Sequence, residues 1–241
     1  GVIFPLEEIA ALCRAKGVLC HTDAVQTPGK LPLDVKAMGI DFLSLSAHKL
    51  HAPKGIGLLY ARRGVPWQPY LIGGGQEQGR RGGTENVAQI VAFGKAAELA
   101  IASLENDASR IRAQRDRMEA ALMDTIPGVT RNGAKEPRTP NTSNLSFANC
   151  EAEAILLLLD RAGICASSGS ACTTGSLAPS YVLTAMGVAP EHALSSVRLS
   201  LSKYTTDAEI DFLLEQLPPI IATLRGTSPR PEIAAASEIS G

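Results

Sequence analysis

The chain has 241 residues and a mass of 25.3 kDa, enough to bury a substantial core in one large or two smaller units, which excludes a peptide or small disulfide scaffold. Hydrophobic residues make up 45% and charged residues 20%, and 23 Lys+Arg against 24 Asp+Glu leave a net charge of −1. That balance gives no reason to expect a nucleic-acid partner. The longest apolar run, residues 154–159 within EAEAILLLLD, falls far short of the ~20 residues that a membrane span needs, so no membrane partner is expected.

Five cysteines, Cys13, Cys20, Cys150, Cys165 and Cys172, form an odd set without a CxxC pair. This argues against a disulfide framework and against a four-cysteine zinc site, and it points to a reducing compartment, the cytoplasm. The chain opens GVIFPLEEIA, with Gly1 in place of Met and neither a basic n-region nor a long apolar h-region. That fits an internal start better than a signal peptide.

In chain order, residues 6–16 place Ile9, Leu12 and Cys13 on one helical face before Gly17, and the apolar run Val18-Leu19-Cys20 leads into His21-Thr22-Asp23 as a strand. A second helix over 35–38 stops at Gly39, followed by strands over 40–46 and 55–60. Helices alternating with short apolar strands predict an α/β layer with functional groups at the carboxyl ends of the strands. A Gly-rich loop over 73–84 precedes a long helix over about 86–126. Beyond it the pattern predicts a strand at 143–147, a helix at 151–161, a loop at 167–176, a helix at 179–186, a strand at 196–202 and a helix at 207–224. The expected division is 1–104 for the larger unit, 105–225 for a small α+β unit and 226–241 for a flexible tail.

Lys49, in SLSAHKLHAPKG, follows an apolar strand beside Ser46 and His48. A lysine held partly desolvated at a strand end can form a Schiff base with a carbonyl cofactor, although an isolated His-Lys pair also fits an ordinary surface site. Asp23, in CHTDAVQTPGK, ends its strand with Gln26 three positions later. A carboxylate there can keep a pyridine nitrogen protonated, or it can cap a turn.

Five segments in this order, HTDAVQTPGK, SLSAHKLHAPKGIG, GGGQEQGRRGGTENV, SSGSACTTGSLAPS and SVRLSLSKYTT, resemble the cysteine desulfurases that depend on pyridoxal 5′-phosphate (PLP), in the class V aminotransferase family of fold type I. HAPKG and GGTENV resemble the nitrogenase-associated NifS type. The resemblance runs from Gly1 to about Leu224. It implies a fold-type I α/β large domain, present in part, with a mixed, mainly parallel sheet covered by helices, plus a small C-terminal α+β domain.

By the same resemblance Lys49 would hold PLP covalently, Asp23 would pair with the pyridinium nitrogen, and Gln26 would bond the ring oxygen. Ser46 and His48 would bind the phosphate, and Thr84 would reach the phosphate of the neighbouring subunit of a homodimer. Cys172 sits in a run of small polar residues that builds no core, and an exposed thiolate on such a loop can attack sulfur and carry it outward. The resemblance makes Cys172 the persulfide-forming nucleophile and a possible transient iron–sulfur ligand; no resident metal site is expected. Arg198 alternates with Val197 and Leu199 on a strand, which fits a surface ion pair, or, by resemblance, the clamp on the substrate carboxylate.

Cys13, Cys20, Cys150 and Cys165 are expected to be structural, Arg80 and Arg81 to be loop charges, and His21, His51 and His192 show no metal-ligand spacing. The implied activity converts L-cysteine to L-alanine and passes the sulfur to an iron–sulfur scaffold protein. Rival readings are a selenocysteine lyase, an aminotransferase, or a non-catalytic scaffold that binds an assembly partner. The chain is shorter than family members, and the resemblance places its start near the middle of the large domain, which implies further N-terminal residues in the working enzyme or an inactive fragment.

Overall fold

The computed structural model describes residues 1–169 and 179–227. Cys172 and the expected tail beyond Thr227 lie outside the described residues. The chain divides into two compact units within one long helix, between Arg112 and Ala113, with Lys135–Asn141 grouped with the first.

The first unit contains α1 (Leu6–Ala15), β1 (His21–Asp23), α2 (Val35–Met38), β2 (Phe42–Ser46), a 3₁₀ turn (Ala47–Leu50), β3 (Gly57–Ala61), α3 (Gln76–Gly79) and the start of α4 (Val87–Thr125). Its sheet has the order β1-β2-β3, with β1 parallel and β3 antiparallel to β2. Asp34 caps α2 by accepting the N–H groups of Lys36 and Ala37, and Gly39 ends it in the left-handed conformation with φ 66°. The alternation in β2 puts Leu43 and Leu45 on one face, where they pack with Ala10, Cys20 and Ile40. Ala47 and Leu50 of the 3₁₀ turn pack against Phe93 of α4.

One buried carboxylate ties this sheet together. Asp41 Oδ2 accepts the Cys20 N–H at 2.8 Å and Oδ1 accepts Arg62 Nε at 2.9 Å, which joins the entry to β1 with the exit of β3. The Cys20 amide first, and then Arg62, hold the Asp41 carboxyl below the usual aspartate range. A group with a depressed folded pKa contributes stability above its unfolded value, near ~4, and loses it as pH falls through the lower folded value. Asp41→Asn keeps the shape but removes the charge and sets an NH2 donor against the N–H donor of Cys20 or Arg62. It should cost about 2–3 kcal/mol in urea unfolding at neutral pH and flatten the acid limb of the stability profile.

The second unit holds Gly1, Ala113–Ala134 and the chain from Thr142. It contains β4 (Val129–Arg131), β5 (Thr142–Phe147), α5 (Ala152–Arg161), α6 (Tyr181–Ala185), α7 (Pro190–Leu194), β6 (Ser196–Ser200) and α8 (Asp207–Thr227). The sheet is antiparallel with β5 in the centre. Met118 and Leu122 of α4, Leu145 and Phe147 of β5, Ile155 and Leu159 of α5, and Ile210, Leu217 and Ile221 of α8 are all buried. Spacings of four and seven residues on the helices, and of two on β5, make the core faces. A reciprocal capping box starts α8: Glu209 Oε2 accepts the Thr206 N–H at 2.8 Å, and Thr206 Oγ1 accepts the Glu209 N–H at 3.2 Å.

The first strand pairs over His21–Asp23 and ends at Asp23 as expected, with its register beginning at His21↔Phe42. Two sequence expectations change. Cys165, expected in the core, is exposed. It lies in an extended segment where side chains alternate, with Ile164 and Ala166 half-buried on either side of it. Finally, α4 contains an 18-residue window of mean hydropathy 1.5 that is long and apolar enough to cross a membrane, although no contiguous apolar run announces it. Phe93, Ala96, Ala97 and Ala100 of this helix pack on the 3₁₀ turn, Ile90, Val91, Leu99 and Ile101 are exposed, and Lys95 pairs with Glu98 at 2.8 Å.

Candidate active site

The parallel pairing of β1 and β2 brings their carboxyl ends to one edge of the first sheet, with Asp23 opposite Ser44. Side chains alternate along a strand, so His21 and Asp23 share one face of β1, and Ser44 and Ser46 share one face of β2. His21 Nε2 lies 2.8 Å from Ser44 Oγ, and His48 Nδ1 lies 2.8 Å from Ser46 Oγ. Asp23 is exposed; its Oδ1 accepts the Val25 N–H at 2.9 Å, a turn cap, and Oδ2 has no partner among the described residues.

Lys49 is half-buried in the 3₁₀ turn that follows β2 directly, held by the anchors Ala47 and Leu50 on either side. A depression of about 400 Å³ is lined by Ser46, His48, Lys54, Gly55, Ile56 and Gly57, and Lys49 is not part of its lining. Gly57 has to be glycine, since a Cβ there would come within 2.9 Å of the Leu45 carbonyl oxygen. Gln26 is exposed in the loop after β1.

The Gly-rich loop closes on itself: Gly82 N–H donates to the Leu71 carbonyl at 2.8 Å, and a Cβ on Gly82 would collide with Gly73 N at 2.7 Å. Thr84 follows it, exposed, just before α4.

In the second unit, Arg198 lies opposite Asn144 in the β5/β6 register and shares its face of β6 with Ser196. Asn132, Asn144, Ser146 and Ser196 make a hydrogen-bonded polar patch on that sheet, with Asn132 Nδ2 donating to Asn144 Oδ1 at 2.7 Å. Arg198 Nε is buried and has no partner among the described residues. Its backbone forms a bridge with Ser167, whose N–H donates to the Arg198 carbonyl at 3.2 Å. The segment that leads toward Cys172 therefore starts from Arg198.

The structure thus gathers Asp23, Ser46, His48 and Lys49 at one sheet end, with Gln26 in the adjoining loop. Composition and spacing did not single out His21 or Lys54. His21 and Lys54 are legible only through the pairing of β1 with β2 and the fold-back of β3. The donor set suits a phosphorylated pyridine aldehyde: an amine for the aldehyde, a carboxylate for the ring nitrogen, and a hydroxyl, an imidazole and an ammonium around a depression for the phosphate.

Curated relatives include cysteine desulfurase 2 of Trichormus variabilis, 55% identical over 229 residues that make up 95% of this chain and 57% of the relative. Cysteine desulfurase NifS of Azotobacter vinelandii is 51% identical over the same share of each. A solved NifS-like protein is 37% identical with a TM-score of 0.84, and the match covers 92% of this chain and 58% of that one. This chain therefore spans somewhat over half the length of the relatives it matches, and its units have the fold of NifS-like fold-type I enzymes. Residues 1–213 match the model of the aminotransferase class-V family, and the chain belongs to that family.

Proposed function

We propose that the protein acts as a PLP-dependent cysteine desulfurase of the NifS type, converting L-cysteine to L-alanine and carrying the sulfur on Cys172. The observation that supports it most is the gathering of Asp23, Ser46, His48 and Lys49 at one sheet end, in a chain about half identical to named cysteine desulfurases. The first unit then corresponds to the cofactor-binding domain and the second to the small domain.

PLP, when bound, supplies an electron sink that makes the Cα–H of a bound amino acid acidic. Lys49 would hold it through its Nζ, Asp23 Oδ2 would hold the proton on the ring nitrogen, and Gln26 would bond the ring oxygen. Ser46, His48 and, from a second copy of the chain, Thr84 would hold the phosphate. The Arg198 guanidinium would take the substrate carboxylate through two parallel N–H bonds, giving its buried Nε a partner. Once substrate is bound, the Lys49 amine accepts the Cα proton.

The Cys172 thiolate attacks the substrate sulfur. An S–S bond forms, the Cβ–S bond breaks and leaves its electron pair on carbon, and a proton completes the methyl group of alanine. The persulfide left on Cys172 passes its outer sulfur to an iron–sulfur scaffold, with nitrogenase assembly as the setting that the NifS likeness favours and a transient iron–sulfur bond at Cys172 as one route. The homodimer and the cytoplasmic setting belong to the same reading. Cys13, Cys20, Cys150 and Cys165 are all free thiols, as a reducing compartment requires.

Incubation of the PLP-loaded whole protein with L-cysteine should add one sulfur atom to the Cys172 peptide by mass and release alanine in equal amount. A PLP-loaded protein that releases alanine without sulfur on Cys172, or neither product, overturns the reading.

A further inference from the structure

The polar face of the second unit's sheet carries an amide that the proposed chemistry does not use. Strand alternation sends Leu145 and Phe147 of β5, and Val197 and Leu199 of β6, toward the core and leaves Asn144, Ser146, Ser196 and Arg198 on the other face. Asn144 lies directly opposite Arg198, and on its far side the Asn132 N–H donates to the Asn144 carbonyl at 2.9 Å. Asn132, Asn144 and Arg198 thus form one row across the sheet, which the Ser167 bridge extends beyond Arg198. Cβ atoms of directly opposed residues lie roughly 4.5–5.5 Å apart, so the Asn144 and Arg198 side chains are immediate neighbours.

The surrounding network fixes which end of each amide faces which neighbour. Ser196 Oγ gives its one hydrogen to the His192 carbonyl at 2.6 Å, so at 2.9 Å from Asn132 Nδ2 it can only accept. Asn132 therefore presents its NH2 there, and Asn144 receives the same NH2 with Oδ1 at 2.7 Å. What remains is the Asn144 NH2, which has no partner among the described residues. Beside it, Arg198 has a buried Nε without an acceptor and no ion pair among the described residues. Two donor groups stand side by side, and a partly desolvated donor without an acceptor is costly. A carboxylate, with about four acceptor positions on two oxygens, satisfies both at once.

We propose that Asn144 is a further substrate-binding residue: its Nδ2 donates a hydrogen bond to the α-carboxylate that Arg198 clasps, and Asn132, which holds Oδ1, is the positioning residue that aims it. The inference rests on reading Arg198 as the carboxylate clamp. The added donor restricts the site to substrates that carry the carboxylate. Because that group stays a carboxylate throughout the reaction, Asn144 acts on binding and hardly on turnover.

The probes are the product L-alanine and its amide, L-alaninamide, which keeps the amine and the methyl group but has no carboxylate. Their binding to the PLP-loaded whole protein is read from the change in cofactor absorbance. Asn144→Ala should weaken L-alanine about 10- to 100-fold, the share of one hydrogen bond to a charged group, and change L-alaninamide by less than about threefold. The KM of this variant for L-cysteine should rise by the same factor, while kcat stays within about threefold of the parent. Unchanged L-alanine affinity overturns the inference, and so does an equal loss for both ligands, which marks a merely structural role. Asn144→Asp keeps the acceptor for Asn132 but sets a carboxylate beside Arg198. It should weaken L-alanine more than Asn144→Ala does and spare L-alaninamide; if the alanine variant does not fold, unchanged L-alanine affinity in the aspartate one overturns the inference by itself. Arg198→Lys separates the two ideas. Unchanged L-alanine affinity there overturns the clamp reading, whereas weakened binding there with unchanged affinity in Asn144→Ala overturns only the role of Asn144.

Discussion

Lys49→Ala should leave the protein folded and able to retain PLP weakly, but without detectable cysteine desulfuration. The lysine is asked for two things, covalent attachment of the cofactor and transfer of the Cα proton, and general-base catalysis alone is worth about 10²–10⁴-fold. Losing both should lower turnover by more than about 10⁴-fold. The fold should tolerate the change, because the 3₁₀ turn is anchored by Ala47 and Leu50 on the Phe93 cluster and not by the half-buried Lys49 side chain. Borohydride reduction followed by peptide mapping gives the direct check. The parent should carry one reduced cofactor on the Lys49 peptide and the variant none. A label that the parent carries on Lys54 or Lys30 instead would reassign the amine.

Cys172→Ala should separate the two halves of the chemistry. Sulfur transfer and alanine release should be lost, while the absorbance of bound PLP, and its change on adding L-cysteine, should persist, because Lys49, Asp23 and Arg198 are untouched. Three of the other thiols are poorly suited to substitute. Cys20 is buried, and burial, then the neighbouring Cys13, push its thiol up; burial likewise pushes Cys150 up, so at neutral pH both are poor sources of thiolate. Cys165 is exposed but lies before the Ser167–Arg198 bridge, on a stretch held in place by that pairing. Cys165→Ala should therefore keep full sulfur transfer. Loss of the cofactor absorbance together with activity in Cys172→Ala would contradict the separate roles.

Much of this architecture was legible from local pattern. The end of α2 follows from Gly39, the extent of α4 from its long helical stretch, and the alternation of β6 around Arg198 from Val197 and Leu199, because each depends on residues within a few positions of one another. The positions of Asp23 and Lys49 were likewise readable, since Asp23 ends β1 and Lys49 lies in the turn that directly follows β2, whereas Cys172 lies outside the described residues. Two short elements, β4 and α7, span three and five residues and are too brief to show a period.

What only the tertiary structure decided concerns pairs far apart in sequence. Asp41 becomes a buried carboxylate because Cys20 and Arg62 reach it from both neighbouring strands. His21 joins the polar face because β1 and β2 pair in parallel with Asp23 opposite Ser44, and the loop after β1 closes against Leu50 and Ala100 because Gly29 carries no Cβ. By itself, then, the sequence determined the kinds of element, their order and the chemistry available at their ends. Which side chains share a face, lose water or feel one another's charge was decided by strand register and turn packing, which no local spacing encodes.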